Sequence, residues 1–253
     1  MFGFFRKSKK TKCPIPEENG IWMEDAFKWL ISEFTKEKIV SRKILRPTTE
    51  DFPFQFDQSE NDASTLLPVI ANQMEVEVSK IELRFYDQAL IEFSTSTGKI
   101  FSQQAPGEQY SAGTYSSKKN GGRFIISIEA SQLKNTENLI ATLAHEVSHI
   151  KLIGERRIKK NDEYLTDLVP IIYGLGIFNA NSSFKFYNNQ DSWGYNKQGY
   201  LSQQEWGYAL ALFAFIRNEE KKPAWINYLT PNIKSDFLKS EQFIHANSND
   251  MAF

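Results

Sequence analysis

Apolar residues along this chain recur first at helical spacing, then at strand spacing, then at helical spacing again. From Ile21 to about Lys38, the residues Ile21, Trp22, Ala26, Phe27, Leu30, Ile31 and Phe34 mark one face of an amphipathic helix. Pro47 and Pro53 lie among polar residues and predict an irregular stretch. Ala63 to Met74 reads as a second helix, with a kink or a boundary at Pro68. Between Glu75 and Glu92 the pattern turns to strand: Val76, Val78, Ile81, Leu83 and Phe85 alternate imperfectly, with a break near Ser79. Asp87-Gln88 can turn the chain into a strand from Ala89 to Phe93. A polar loop around Pro106 and Gly107 leads to a strand from Gln109 to Tyr115. Asn120-Gly121-Gly122 then signals a tight turn into the β-branched strand Arg123 to Ile128.

Helical periodicity returns after that strand. Asn135 can cap a helix running to about Leu152, whose apolar face is Leu139, Ile140, Leu143, Ala144, Val147 and Ile150. A charged connection, Lys151 to Asn161, precedes a helix from near Asp162 toward Tyr173, with Pro170 as a kink and Gly174 and Gly176 ending it. Phe184 to Tyr187 and Trp193 to Tyr200 fit a hairpin or a looped lid. Ser202 and Glu205 form a capping box, stapled by Leu201 and Trp206, for a helix through Arg217. The run Tyr208 to Phe215 is apolar on almost every side and predicts a buried, supporting helix. The fold class is therefore α+β, a small, mostly antiparallel sheet packed on helices. Residues 1–20 and 241–253 read as flexible tails around a single domain over 21–240.

Composition narrows the function. With 253 residues, 41% of them hydrophobic, the chain can build a sizeable core. A net charge of -1 leaves no basic surplus for nucleic acid. The basic runs Arg6 to Lys12 and Lys36 to Arg46 read as a solvated tail and a solvated helix end. The lone Cys13 cannot form an intrachain disulfide. The opening residues lack a secretory pattern, and no apolar run reaches membrane-spanning length. The expectation is a cytoplasmic protein without stable membrane insertion.

The chemistry is concentrated in Ala144-His145-Glu146-Val147-Ser148-His149, an H-E-x-x-H spacing. Residues four apart share a helix face, so both imidazoles can reach one metal ion. Glu146 sits at the edge of that face, where it can take a proton from the attacking water and deliver it to the leaving group. A catalytic zinc takes three protein ligands and keeps an open position. Candidates for the third are Glu163, Asp162, Asp167 and His245. Glu163 and Asp167 share a helix face: Glu163 can complete a His2Glu site while Asp167 accepts a hydrogen bond from the second nitrogen of a ligating imidazole. The expected cofactor is one Zn2+ per chain.

Together, HEVSH at 145–149 and EYLTD at 163–167 resemble the paired motifs of gluzincins, the thermolysin-like zinc metallopeptidases. The resemblance rests on about residues 125–180. It implies a zincin-like core, His145, His149 and Glu163 as ligands, Glu146 as general base and Asp167 behind a ligand. It also implies a peptide or protein substrate, with a strand beside the active-site helix that pairs with it; Arg123 to Ile128 is the candidate strand. The thirteen residues between His149 and Glu163 point to a minimal member. The chain departs from the group in lacking accessory histidines near the substrate. Tyr195, Tyr200 or Tyr208 are candidates to stabilise an oxyanion in their place, and Arg156 and Arg157 to bind a substrate carboxylate. Two further readings are a catalytically inactive zinc-binding interaction domain, and a regulatory peptidase that cleaves a repressor or partner.

Overall fold

The computed structural model describes residues 12–86, 91–95, 98–102, 113–189, 192–197, 200–248, 251 and 253, and gives the backbone alone over the described parts of 91–102, 116–120 and 184–197. The expected turn at Asp87-Gln88 lies outside the described residues, as do residues 1–11 of the expected tail. In chain order the helices are α1 (Glu17–Phe34), α2 (Lys36–Ser41), α3 (Glu60–Gln73), α4 (Thr136–His149), α5 (Glu163–Ile172), α6 (Gly176–Ser182), α7 (Gln203–Ile216) and α8 (Pro231–Ala246). The strands are β1 (Ile81–Tyr86), β2 (Ile91–Thr95), β3 (Gly98–Ser102), β4 (Gly113–Asn120), β5 (Arg123–Glu129), β6 (Phe184–Asn189) and β7 (Ser192–Lys197). Among the described residues no helix is long and apolar enough to cross a membrane. The chain divides into two compact units, Met1–Ile44 with Leu201–Phe253, and Leu45–Tyr200. The expected domain over 21–240 draws on both.

The first unit is helical. Pro16 fixes the entry to α1, and Glu17 and Glu18 place acidic charge at its N-terminus, so the helix begins four residues before Ile21. Its buried face is Gly20, Met23, Phe27, Leu30 and Phe34, while Ile21, expected on that face, is 56% exposed. The capping box of α7 is present with both of its hydrogen bonds, and Leu201 and Trp206 are buried. Glu205 of that box also accepts a hydrogen bond from Asn19 Nδ2 at 2.7 Å. The α8 helix continues to Ala246, into the stretch expected to be a tail.

The second unit carries the sheet, whose order is β1-β5-β4. The loop Gly121-Gly122 has φ of 57° and 84°, a backbone open to glycine, and turns β4 tightly into β5. Along β5 the residues Phe124, Ile126 and Ile128 are buried at period two. The break expected near Ser79 is a single 3-10 turn over Val78–Lys80. It leads into β1, which pairs with β5 in parallel, Ile81 opposite Phe124. The sheet is thus mixed, and the mostly antiparallel expectation is corrected by this one pairing. The segments β2–β3 and β6–β7 form separate antiparallel hairpins. The sheet packs against the central helix α4, which also touches α3, α5 and α6. Asn135 caps α4 as expected, accepting from the Asn138 N–H at 3.0 Å. Past His149 the helix widens into a π-turn over Ile150–Gly154.

Candidate metal centre

Two helices of the second unit supply the site. On α4, His145 and His149 stand one turn apart with ring centroids 5.0 Å apart and planes nearly perpendicular. The connection after the π-turn reverses the chain, and Asp162 caps α5 by accepting from the Leu165 N–H at 3.0 Å. This occupies Asp162 as a cap and starts the helix at Glu163, whose side chain then faces α4. Glu163 Oε2 lies 3.2 Å from His145 Nε2 and 3.6 Å from His149 Nε2. Its other oxygen, Oε1, accepts from Asn161 Nδ2 at 2.6 Å. One carboxylate oxygen is anchored and the other is presented to the histidines.

The donor atoms of His145, His149 and Glu163 all lie within 4.8 Å of one another. Tetrahedral ligands at about 2.0–2.1 Å from a zinc ion stand roughly 3.3 Å apart, close to the separations of Glu163 Oε2 from the two imidazole nitrogens. The cluster can coordinate a metal ion and is geometrically compatible with a single Zn2+. Among the described residues it is the one group of this kind.

Asp167 stands behind the cluster, 1% exposed. Its Oδ1 accepts from His145 Nδ1 at 3.0 Å and its Oδ2 from the Tyr200 N–H at 2.6 Å. A carboxylate can only accept, so Nδ1 donates to Asp167 and, without a metal, Nε2 donates to Glu163; a metal at Nε2 would replace that second proton while Asp167 keeps the first. With both its oxygens engaged there, Asp167 is the partner of a cluster residue and does not belong to the cluster itself. His145 is pushed up to about 10: burial alone would depress it, but the bonds to Asp167 and Glu163 outweigh burial. Burial, then the His145 charge, hold His149 well below the usual histidine range. Glu163 is held below the usual carboxylate range, because its bond to His145 and the charge of both histidines override its burial.

Glu146 has a different environment. It is 3% exposed, and its Oε2 has no hydrogen-bond partner among the described residues. Burial pushes its carboxyl up to about 7; the charge of His145 opposes the rise and that of Glu163 adds to it. Gly113, the first residue of β4, faces this carboxylate closely: a Cβ there would stand 2.9 Å from Glu146 Oε1. Two residues on, the Tyr115 ring lies against His149.

The other candidates each have their own surroundings. His245 lies on α8 of the first unit, edge-on to Phe215 at 6.0 Å. Tyr208 belongs to that unit too, where its hydroxyl donates to Glu24 Oε1 at 2.9 Å. The Tyr195 side chain lies outside the described residues. Tyr200 remains: burial raises its pKa, and the charges of Glu163, Asp167 and Glu146 raise it further, which places the phenol in the field of all three carboxylates. Its ring leans on the half-exposed Tyr164, 5.9 Å away. Arg157 is engaged by Glu155 and by the Lys151 carbonyl. The strand 123–128 is corrected as a substrate partner: it is the central strand, paired on both edges, whereas among the described residues β4 is the outer strand beside the site. Asn161, Gly113 and Tyr115 carry no motif, and only their place in the fold marks them. Compared with protein-family models, curated proteins and solved structures, the chain matches none.

Proposed function

We propose that this protein is a zinc-dependent hydrolase, a peptidase, with His145, His149 and Glu163 as ligands of one zinc ion. The observation that carries the reading is the convergence of two imidazole nitrogens and one carboxylate oxygen beside a buried carboxyl group whose Oε2 has no hydrogen-bond partner among the described residues. A bound zinc ion would lower the pKa of the attacking water and polarise the scissile carbonyl. Glu146 takes the proton from that water and passes it to the leaving amine. A carboxyl pushed up to about 7 suits both directions of transfer near neutral pH. Asp167 fixes the His145 ring and its tautomer. The Tyr200 hydroxyl is the oxyanion donor, and β4, the outer strand of the sheet among the described residues, runs beside the centre where an extended peptide backbone would lie.

The inactive, binding-only reading is disfavoured by Glu146. A domain that only holds a metal gains nothing from burying a carboxyl group with one oxygen left unbonded. The test begins with the metal content of protein purified without added metal, beside Glu163→Ala and Glu146→Gln, followed by digestion of a peptide library. About one zinc per chain is expected in the wild type, with weakened binding in Glu163→Ala. Glu146→Gln should keep its zinc and lose about 10²–10⁴-fold in rate. Wild-type protein that takes up no offered zinc sinks the catalytic reading. Full zinc retention by Glu163→Ala moves the third ligand elsewhere.

A further inference from the structure

The two histidines of the centre are held differently. The His145 ring is fixed through Nδ1 by Asp167 at 3.0 Å. His149 Nδ1 is buried and has no hydrogen-bond partner among the described residues. A metal-ligating imidazole is ordinarily oriented through its second nitrogen, so something else must set this ring. It lies face to face with the Tyr115 ring, with centroids 5.6 Å apart and planes 19° apart. Tyr115 is backed in turn by Phe124 of β5, 5.9 Å away. The stack Phe124–Tyr115–His149 runs from the sheet into the centre. The Tyr115 hydroxyl is itself buried without a partner among the described residues, so the ring face supplies the contact.

We infer that Tyr115 is a positioning residue for His149, fixing the plane of its imidazole by ring stacking, as Asp167 fixes His145 by a hydrogen bond. Within that plane the Glu163 carboxylate, 3.6 Å from Nε2, and the Asn161 side chain select the flip state that presents Nε2 to the cluster, but neither fixes the tilt of the ring. The alternation of β4 places this residue: Gly113 and Tyr115, two apart, face the same side, one against Glu146 and the other against His149. The inference rests on the metal reading given above.

The test is zinc affinity by chelator competition for the wild type, Tyr115→Phe and Tyr115→Leu, with circular dichroism to verify the fold. Tyr115→Phe keeps the ring and discards only the unbonded hydroxyl, so its affinity should stay near the wild-type value. Tyr115→Leu should bind roughly tenfold more weakly or worse. Equal affinity in a folded Leu variant overturns the inference and leaves the metal centre intact, and so does a Phe variant that loses as much as Leu. Wild-type protein without zinc affinity removes the metal reading on which the inference stands. A second measurement is independent of how the Leu variant folds. In metal-free wild type and Tyr115→Phe, the carbon-bound ring protons of His149 should be shifted upfield by the stacked ring. Unshifted signals in the wild type overturn the inference directly.

Discussion

Glu146 and Asp167 are both carboxylates buried in one site, and their surroundings assign them opposite behaviour. Asp167 receives two hydrogen bonds, whereas Glu146 Oε2 receives none. The folded-state pKa of Glu146, about 7, lies above its ordinary 4.5, so this group contributes stability that is fully present below about pH 4.5 and lost as pH rises through 7. Glu146→Gln removes that dependence. In metal-free protein the variant should gain on the wild type from pH 4.5 upward, by on the order of 3 kcal/mol once above pH 8. Urea titrations at pH 5 and pH 8 measure it, and an equal difference at the two pH values refutes the assignment. The H-E-x-x-H spacing made His145, Glu146 and His149 legible as candidates, because a shared helix face follows from spacing alone. The hydrogen bond from an imidazole to Asp167 was legible too, from the spacing of Glu163 and Asp167; the burial of Glu146 with an unpartnered Oε2 was not, since it depends on contacts made far along the chain.

At the scale of elements, the signals that could be read are those completed within a few residues. The Ser202–Glu205 box of α7, the Asn135 cap of α4 and the Asn120-Gly121-Gly122 turn are local hydrogen-bond and backbone devices. Strand partnership is not local. The parallel pairing of β1 with β5 joins residues more than forty positions apart, and it is why β5 is central and β4, not 123–128, lies at the edge. Helix contacts have the same character, as Gly207 shows. A Cβ on this α7 residue would stand 2.7 Å from the Asp236 carbonyl carbon and 2.8 Å from the Phe237 nitrogen of α8. Alanine favours a helix over glycine by about 1 kcal/mol. Backbone cannot yield as a flexible side chain does, so Gly207→Ala should nevertheless destabilise the protein, by about 1–3 kcal/mol. A lowered denaturation midpoint with an unchanged slope is the expected result. An unchanged or raised midpoint shows that α8 can move aside.

At the scale of the whole molecule, the candidate ligands come from two helices joined by a reversing connection. A metal held by His145 and His149 of α4 and Glu163 of α5 would tie those helices together in the folded state only. An unfolded chain does not hold these three donors in one place, so metal binding adds to stability by mass action. At free zinc near a hundred times the dissociation constant the gain is about 2.7 kcal/mol. For a protein of this size that corresponds to a rise of roughly 5–10 °C in the unfolding midpoint of the unit that carries the site. Differential scanning calorimetry with zinc and with excess chelator should show this rise in the wild type and its loss in Glu163→Ala. The same scans address the division of the chain into two units: if they unfold separately, only the transition of residues 45–200 should move with zinc. A midpoint unmoved by zinc in the wild type would mean that these donors, though they converge, do not hold the ion tightly enough to couple it to the fold.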